Sequence, residues 1–440
     1  MNRSPLKVAI VGSGISGLAA AHTLQGQADI TLFEAGDYFG GHTHTVDITL
    51  PGPQGLVSHG VDTGFLVFNE RTYPKLIALF AELGVETAKS DMSFSVKVPD
   101  AAHGRALEWS GSSLNSVFAQ RGNLANWKFL RMLRDIVRFN RITSALAASG
   151  ADAAMVQPLA DFLQQHKFSA EFRDWYFLPM MGCIWSCPVD QMLQFPVATM
   201  IRFCHNHGLI QITDRPQWWT VKGGARHYVD KIIAGIGDKR LNTPVHHIER
   251  NAQAARGGVR IATRYRVEHF DKVVLATHSD QSLALLPEAS PAEREVLGAI
   301  RYQPNRAVLH TDASVLPQRK LAWAAWNYER AAQTSRESPG VCLHYLLNML
   351  QPLPFAQPVV VSLNPVQEIA RNHIMGEYDY MHPVFDLAAI QAQQALPRLQ
   401  GLQHSYFCGA WTGYGFHEDG LKSGLQAAHL LLEQHRQGAA

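Results

Sequence analysis

Three glycines near the start of the chain have the spacing of a phosphate cradle. Gly12, Gly14 and Gly17 form G-x-G-x-x-G within KVAIVGSGISGLAAA, and Glu34 follows at the end of ITLFE. Gly12 permits a tight strand-to-helix turn, Gly14 lets the backbone approach a pyrophosphate, and Gly17 lets helix and strand pack closely. The anion would rest on the free amides and positive dipole end of the following helix. Glu34 stands where an acid accepts hydrogen bonds from an adenosine ribose, and the same acid argues against a 2′-phosphate, so NADP is not expected. A lone glycine-rich turn in an unrelated α/β protein is the competing reading, and the strand, helix and acid around this one favour dinucleotide binding.

The elements that must hold this turn are legible around it. Lys7–Val11 is a short apolar run, as a buried parallel strand requires, Ile15–Leu24 reads as the helix, and Ile30–Phe33 reads as the second strand. Tyr73–Leu83 is a helix that stops at Gly84. Phe94–Val98 and Ala106–Trp109 pair as strands, and helices are expected over 124–148, Pro158–His166, Ala170–Met180 and Phe195–Asn206. Strand character returns at Trp218–Val221, Val245–Ile248, Val259–Thr263 and Val273–Thr277, and the last of these resembles the opening strands. Further strands are expected at Ala307–Thr311, Val341–Leu346 and Val359–Leu363, and the chain closes with a glycine- and aromatic-rich loop and a helix. The fold class is α/β. A discontinuous dinucleotide-binding domain (5–85, 215–285 and 385–440) alternates with an α+β substrate-binding domain (86–214 and 286–384).

Composition narrows the function classes. The 440 residues are 46% hydrophobic and 17% charged with a formal charge of +2, which gives no reason to expect nucleic acid. No run of about 18 apolar residues is present, so no transmembrane helix is expected. MNRSPLK leads straight into the first strand, so no signal peptide is expected. Five scattered cysteines fit reduced thiols and a cytoplasmic location. Cys183 and Cys187 lack a second pair, and His42, His44 and His59 lack a carboxylate or cysteine at matching spacing, so no metal is expected.

Within 124–148, Lys128, Arg131, Arg134, Arg138 and Arg141 recur every three or four residues, while Trp127, Phe129, Leu130, Leu133, Ile136, Val137 and Phe139 fill the other faces. A core helix with a solvated charged face is one reading. Contact with an anionic membrane surface, peripheral to the inner membrane, or with an acidic carrier is the other.

Five motifs in order resemble the flavin-containing amine oxidase and phytoene desaturase superfamily: VGSGISGLAAA, FEAGDYFGGHTHT, VDTGF, WTVKGGARHYVDKI with VHHI, and YFCGAWTGYGFHEDGLKSGLQAA. The GGH variant and the GYGFHEDGLKSG ending are similar to a bacterial subgroup of predicted NAD/FAD-binding proteins, often encoded beside cyclopropane-fatty-acyl synthase-like methyltransferases. The resemblance implies a Rossmann-like FAD domain of glutathione-reductase-like topology. It places the FAD pyrophosphate on Gly12, Ser13, Gly14, Ser16 and Gly17 and the ribose on Glu34 with Ala35 beside it. Gly41, His42 and Thr43 take the position of the family's Gly-Arg loop, and Gly64 and Phe65 lie near the flavin ring. Val245 contacts adenine, Ala276 joins the cofactor site, and Gly409, Ala410, Gly420 and Leu421 form the C-terminal flavin motif.

The departures from the pattern carry information. His42 replaces the usual arginine, which loses a charge contact to phosphate or makes it pH-dependent. Ala410 stands where many relatives carry an acid. YDYMHPVF, residues 378–385, has no cysteine where covalent monoamine oxidases carry one, so the FAD is expected to be non-covalent. Amine oxidases carry lysine near Asn305 or Arg306, and tyrosine where His417 stands, so the amine reading is weakened.

Flavin N5 accepts a hydride from a C–H bond, and the protein must hold that carbon, exclude water and place a proton acceptor. Trp218, Trp219, Trp411, Tyr414, Phe416 and His417 are the candidates to line the site, with His417 or Glu418 as base. Plain packing of the aromatic rings and a structural hydrogen bond for His417 are the alternatives. The leading expectation is a desaturase or oxidase acting on a lipid acyl chain. An amine oxidase releasing imine and hydrogen peroxide is second, and a flavin-bearing partner of a lipid methyltransferase is third. Nothing resembles a second nucleotide site, so reduction by NADPH is not expected.

Overall fold

The computed structural model describes residues 5–102, 105–150, 157–185, 192–209, 216–250, 258–330 and 341–438. Cys187, weighed above as one half of a metal pair, lies outside the described residues. Five parallel strands form the first sheet, in the order Asp238–Arg240, Asp29–Phe33, Lys7–Val11, Lys272–Leu275, Ser405–Phe407. Val8 and Ile10 pack against Leu18 and Ala21 of helix Ile15–Leu24 on one face. Ala9 and Val11 pack on the other face against Ile248, Ile261 and Phe270, from a three-stranded antiparallel sheet, Val245–Arg250, Val259–Thr263 and Val267–Phe270. Both faces are therefore dry, which is why the strands read as continuous apolar runs rather than alternating ones.

The opening turn depends on two glycines. Gly12 has φ +98°, and an added Cβ would sit 2.7 Å from the Ala276 carbonyl oxygen. A Cβ on Gly17 would fall 1.9 Å from the Gly12 carbonyl oxygen, so helix and turn touch backbone to backbone. The closing helix, His417–Gln437, packs along Ile15–Leu24, with its first turn beside the glycine turn, where Gly420 meets Ile15.

A seven-stranded sheet stands opposite, in the order Ile374–Val384, Arg301–His310, Val360–Leu363, Cys342–Leu346, Trp326–Glu329, Phe94–Ala102, Arg105–Ser110. Its pairings are antiparallel except that of Trp326–Glu329 with Phe94–Ala102. Helices Trp127–Ser149, Leu178–Trp185 and Val197–Asn206 accompany it. The helix expected over Ala170–Met180 runs on to Trp185, through one π-helical turn at Arg173–Phe177. Gly182 does not end it, because a Cβ there would lie 3.0 Å from Val341, so the glycine admits the sheet instead. Strand Ile374–Val384 was not expected as a strand. It lies at the sheet edge, mostly half-exposed, and Pro383 near its end is tolerated only in such a position. Among the described residues no helix is long and apolar enough to cross a membrane.

Candidate active site

A cavity of about 710 Å³ is walled by both sheets, and the glycine turn forms one end of it. There the Ser13 amide donates to Glu34 Oε2 at 2.9 Å, the Ser13 hydroxyl donates to the same oxygen, and the Gly36 amide donates to Glu34 Oε1 at 2.8 Å. The acid is thus fixed beside the turn, next to Ala35 and Val245. Gly14 lies against Gly40, bringing the second glycine loop to the first. Helix Ile15–Leu24 begins at Gly14 without a side-chain cap, and a Cβ on Gly14 would meet nothing within 4 Å. Open space over uncapped amides, with an acid at the strand end, fits the pyrophosphate and adenosine ribose of FAD. Gly12, Ser13, Gly14, Ser16, Glu34, Ala35, Gly41, His42, Val245, Ala276, Gly409 and Ala410 all face this space.

The second loop leads inward. The Phe65 amide donates to the His42 carbonyl at 2.8 Å, and a Cβ on Gly64 would lie 2.2 Å from the same oxygen. His42 neighbours His382 and His278, with ring centroids 5.6 and 6.5 Å away. Burial, then the neighbouring histidines, lowers His42 to about 3. Both causes favour the neutral ring in the protein without cofactor. Asn305, at the expected lysine position, donates through Nδ2 to His382 Nδ1 at 3.2 Å, which leaves the ring proton of His382 on Nε2.

The closing helix brings His417 against Phe65, ring on ring. Its Nε2 lies 2.7 Å from the Tyr228 hydroxyl, which also meets the Thr43 hydroxyl at 2.5 Å. Burial lowers His417 to about 3. Tyr414, Phe416 and Trp411 face the cavity, and Trp411 Nε1 donates to the Thr277 carbonyl at 3.1 Å. The Tyr414 and Phe416 amides donate to Asp419 Oδ2, which shapes this loop.

Several sequence assignments are corrected by position. Glu418 turns away from the cavity, and its carboxylate accepts the amides of Lys75 and Leu76 at 3.0 and 2.9 Å, so it caps helix Pro74–Leu83 and cannot serve as base. Trp219 is outside the lining, with Nε1 donating to Glu70. Gly17, Thr43, Gly420 and Leu421 lie behind the wall: Gly420 sits under Ile15, and Leu421 is buried in the core. They shape the site without facing it.

Beyond Phe416 the cavity turns apolar. Phe203 stacks on Phe416 at 4.9 Å and meets Trp185 at 4.6 Å, and Ile184, Leu209, Met92 and Trp218 complete this arm. His207 lies here, stacked on Phe203 at 3.9 Å. Its Nδ1 donates to the Phe203 carbonyl at 2.9 Å, which leaves Nε2 as the lone-pair nitrogen, and burial lowers the ring to about 4. The sequence reading missed His207, His278 and His382. His207 follows a helix with no local signal, and His382 sits on the unforeseen edge strand.

Three solved structures illustrate the fold. The CLA-producing fatty acid isomerase from P. acnes has a TM-score of 0.64 at 17% identity over 97% of this chain and 98% of that one. Cyclohexylamine oxidase from Brevibacterium oxydans IH-35A has a TM-score of 0.64 at 18% identity over 98% and 100%. Putrescine oxidase, solved with putrescine, has a TM-score of 0.64 at 16% identity over 97% and 99%. No curated protein sequence matches the chain. The profile of the flavin-containing amine oxidoreductases matches residues 15–432, so the chain belongs to that family and is an FAD-dependent oxidoreductase.

Proposed function

We propose that this enzyme removes a hydride from a C–H bond of a hydrophobic, uncharged substrate of the kind a lipid acyl chain presents. One observation carries the reading: among the described residues lining the cavity, Glu34 is the only one with a permanently charged side chain, and Ser13 holds it at the cofactor end. An ammonium substrate would meet only apolar, aromatic and neutral imidazole groups in the arm, where an unpaired charge is costly. An acyl chain would instead bury its methylenes against Ile184, Trp185, Phe203 and Leu209, each contributing about 0.8 kcal/mol.

FAD bound at the glycine turn supplies the hydride acceptor. The side chains orient the chain, exclude water and take up the proton. His207 Nε2 is the acceptor we assign, because its tautomer is fixed by the Phe203 carbonyl and it lies in the apolar arm. With no cysteine in residues 378–385, the FAD is held without a covalent bond.

The test is an absorption spectrum before and after acid precipitation, followed by anaerobic addition of total bacterial lipid. Flavin should appear in the acid supernatant, and lipid should bleach the yellow holoenzyme. Bleaching by amines instead, with peroxide released in air, would replace this reading with amine oxidation. A yellow protein inert to both that co-purifies with a methyltransferase would favour a flavin-bearing partner of that enzyme.

A further inference from the structure

The described residues expose eleven large hydrophobic side chains, and five of them fall within residues 114–137: Leu114, Leu124, Trp127, Leu130 and Val137. Trp127 is 62% exposed and Leu114 81%, so these groups stand out from the surface rather than line a groove. On helix Trp127–Ser149 the exposed residues Trp127, Leu130, Arg131, Arg134, Val137 and Arg141 recur at steps of three and four, which puts them on one face. The opposite face is buried through Phe129, Met132 and Phe139. The helix is therefore amphipathic inward, as a core helix must be, and carries a second, mixed apolar and cationic stripe outward.

Charge is concentrated here as well. Between residues 114 and 141 there are six basic residues and a single acid, Asp135, although the whole chain carries only +2. Asp135 is buried, pairs with Arg134 and Arg138 and accepts the Ser169 amide, so the outward charges are all positive. Lys128, Arg131 and Arg141 have no described carboxylate partner.

We propose that this face docks on an anionic lipid bilayer. Protruding Trp and Leu side chains interleaved with arginines suit the boundary between headgroups and acyl chains, where rings insert, arginine stems lie along apolar surface and guanidinium groups meet lipid phosphates. A convex stripe of this kind fits a soft planar surface better than a rigid acidic protein, which would need a complementary groove. Helix Val197–Asn206 packs against the docking helix and carries Phe203 into the cavity, so the bilayer-facing helix is backed by one that walls the apolar arm.

Sedimentation of the FAD-loaded protein with vesicles tests this. Vesicles of phosphatidylglycerol and phosphatidylethanolamine should pellet the protein, phosphatidylcholine vesicles should not, and salt should release it. R131E/R134E and, separately, W127A/L130A should each weaken partitioning by roughly tenfold or more. Both variants should keep the wild-type flavin spectrum, which shows that they fold. Wild-type protein left in the supernatant, or folded variants that pellet unchanged, would overturn the proposal. Binding to soluble polyglutamate but not to anionic vesicles would also overturn it and assign the face to an acidic protein.

Discussion

Phe65 and His417 stack with ring centroids 3.8 Å apart and planes 11° from parallel, although they come from the third motif of the chain and the first turn of its last helix. His417 also meets Tyr228, so three distant segments close on one ring. With its pKa lowered to about 3 and its Nε2 engaged, His417 is a positioning residue. His417→Gln should weaken FAD binding by about 10- to 100-fold, since a stacked pair and a buried hydrogen bond are each worth about 1 kcal/mol. Flavin fluorescence titration reads this. Unchanged affinity with a rate lost by orders of magnitude would instead make His417 the base.

Glu418, its neighbour, is expected to behave differently. Glu418→Ala removes the acceptor for two helix amides and should lower unfolding free energy by about 1–2 kcal/mol. Once the enzyme is FAD-loaded, its flavin reduction rate should stay within a few-fold of wild type. Urea titration and stopped-flow spectroscopy separate the two effects.

The difference between these neighbours shows what a sequence can carry. The glycine turn, the first two strands and Glu34 were legible because local geometry dictates residue type there, and a strand, a turn and an acid at fixed offsets leave a fixed pattern. Which way His417 and Glu418 point was not legible, because adjacent residues on a helix start diverge by about 100° and only the partners decide. Tyr73 to Leu76, the site that turns Glu418 outward, lies far away in the chain. His207, His278 and His382 were missed for a related reason: each reaches the cavity through tertiary packing, which no local spacing in its own segment announces.

His207 gives the third prediction. His207→Gln should leave the flavin spectrum and FAD affinity unchanged and slow flavin reduction by about 10²- to 10⁴-fold, the range for removing a general base. Equal rates for wild type and variant would exclude Nε2 as proton acceptor.

The cavity histidines also set an acid limit. Burial lowers His42 and His417 to about 3 and His207 and His382 to about 4, against about 6.5 in an unfolded chain. Between those values the unfolded state binds more protons than the folded one, so stability rises with pH across this window. It is complete above about pH 6.5 and is lost as pH falls toward 4. The Tm of the apoprotein should fall by several degrees from pH 6.5 to 5. The slope should be smaller for His42→Gln and smaller still with FAD present, because a pyrophosphate beside His42 favours its charged form.

A buried chain across the seven-stranded sheet bears on stability alone. Lys97 Nζ lies 3.0 Å from Glu329, Glu329 3.1 Å from His344 Nε2, and His344 Nδ1 2.6 Å from the Ser362 hydroxyl, which meets His310 at 2.7 Å. Cys342 Sγ is 3.4 Å from His344 Nε2. Glu329→Gln strands the buried His344 and the half-buried Lys97 and should cost about 3–5 kcal/mol in chemical denaturation, with little effect on FAD affinity. A loss below about 1 kcal/mol would mean that the chain is neutral in the folded protein.

The two inner glycines of the turn should separate folding from cofactor binding. Gly14 has φ −60°, and an added Cβ meets no protein atom, so Gly14→Ala asks nothing of the fold. Its methyl would occupy the space over the helix amides, where the pyrophosphate must approach the backbone. Gly17 is the reverse case, because its Cβ would collide with the Gly12 carbonyl at 1.9 Å and push helix from strand. Gly14→Ala should therefore purify colourless with the apoprotein Tm intact. Gly17→Ala should lose several kcal/mol of stability or fail to accumulate as folded protein. Gly14→Ala that binds FAD with wild-type affinity would show that the cofactor does not lie on this turn.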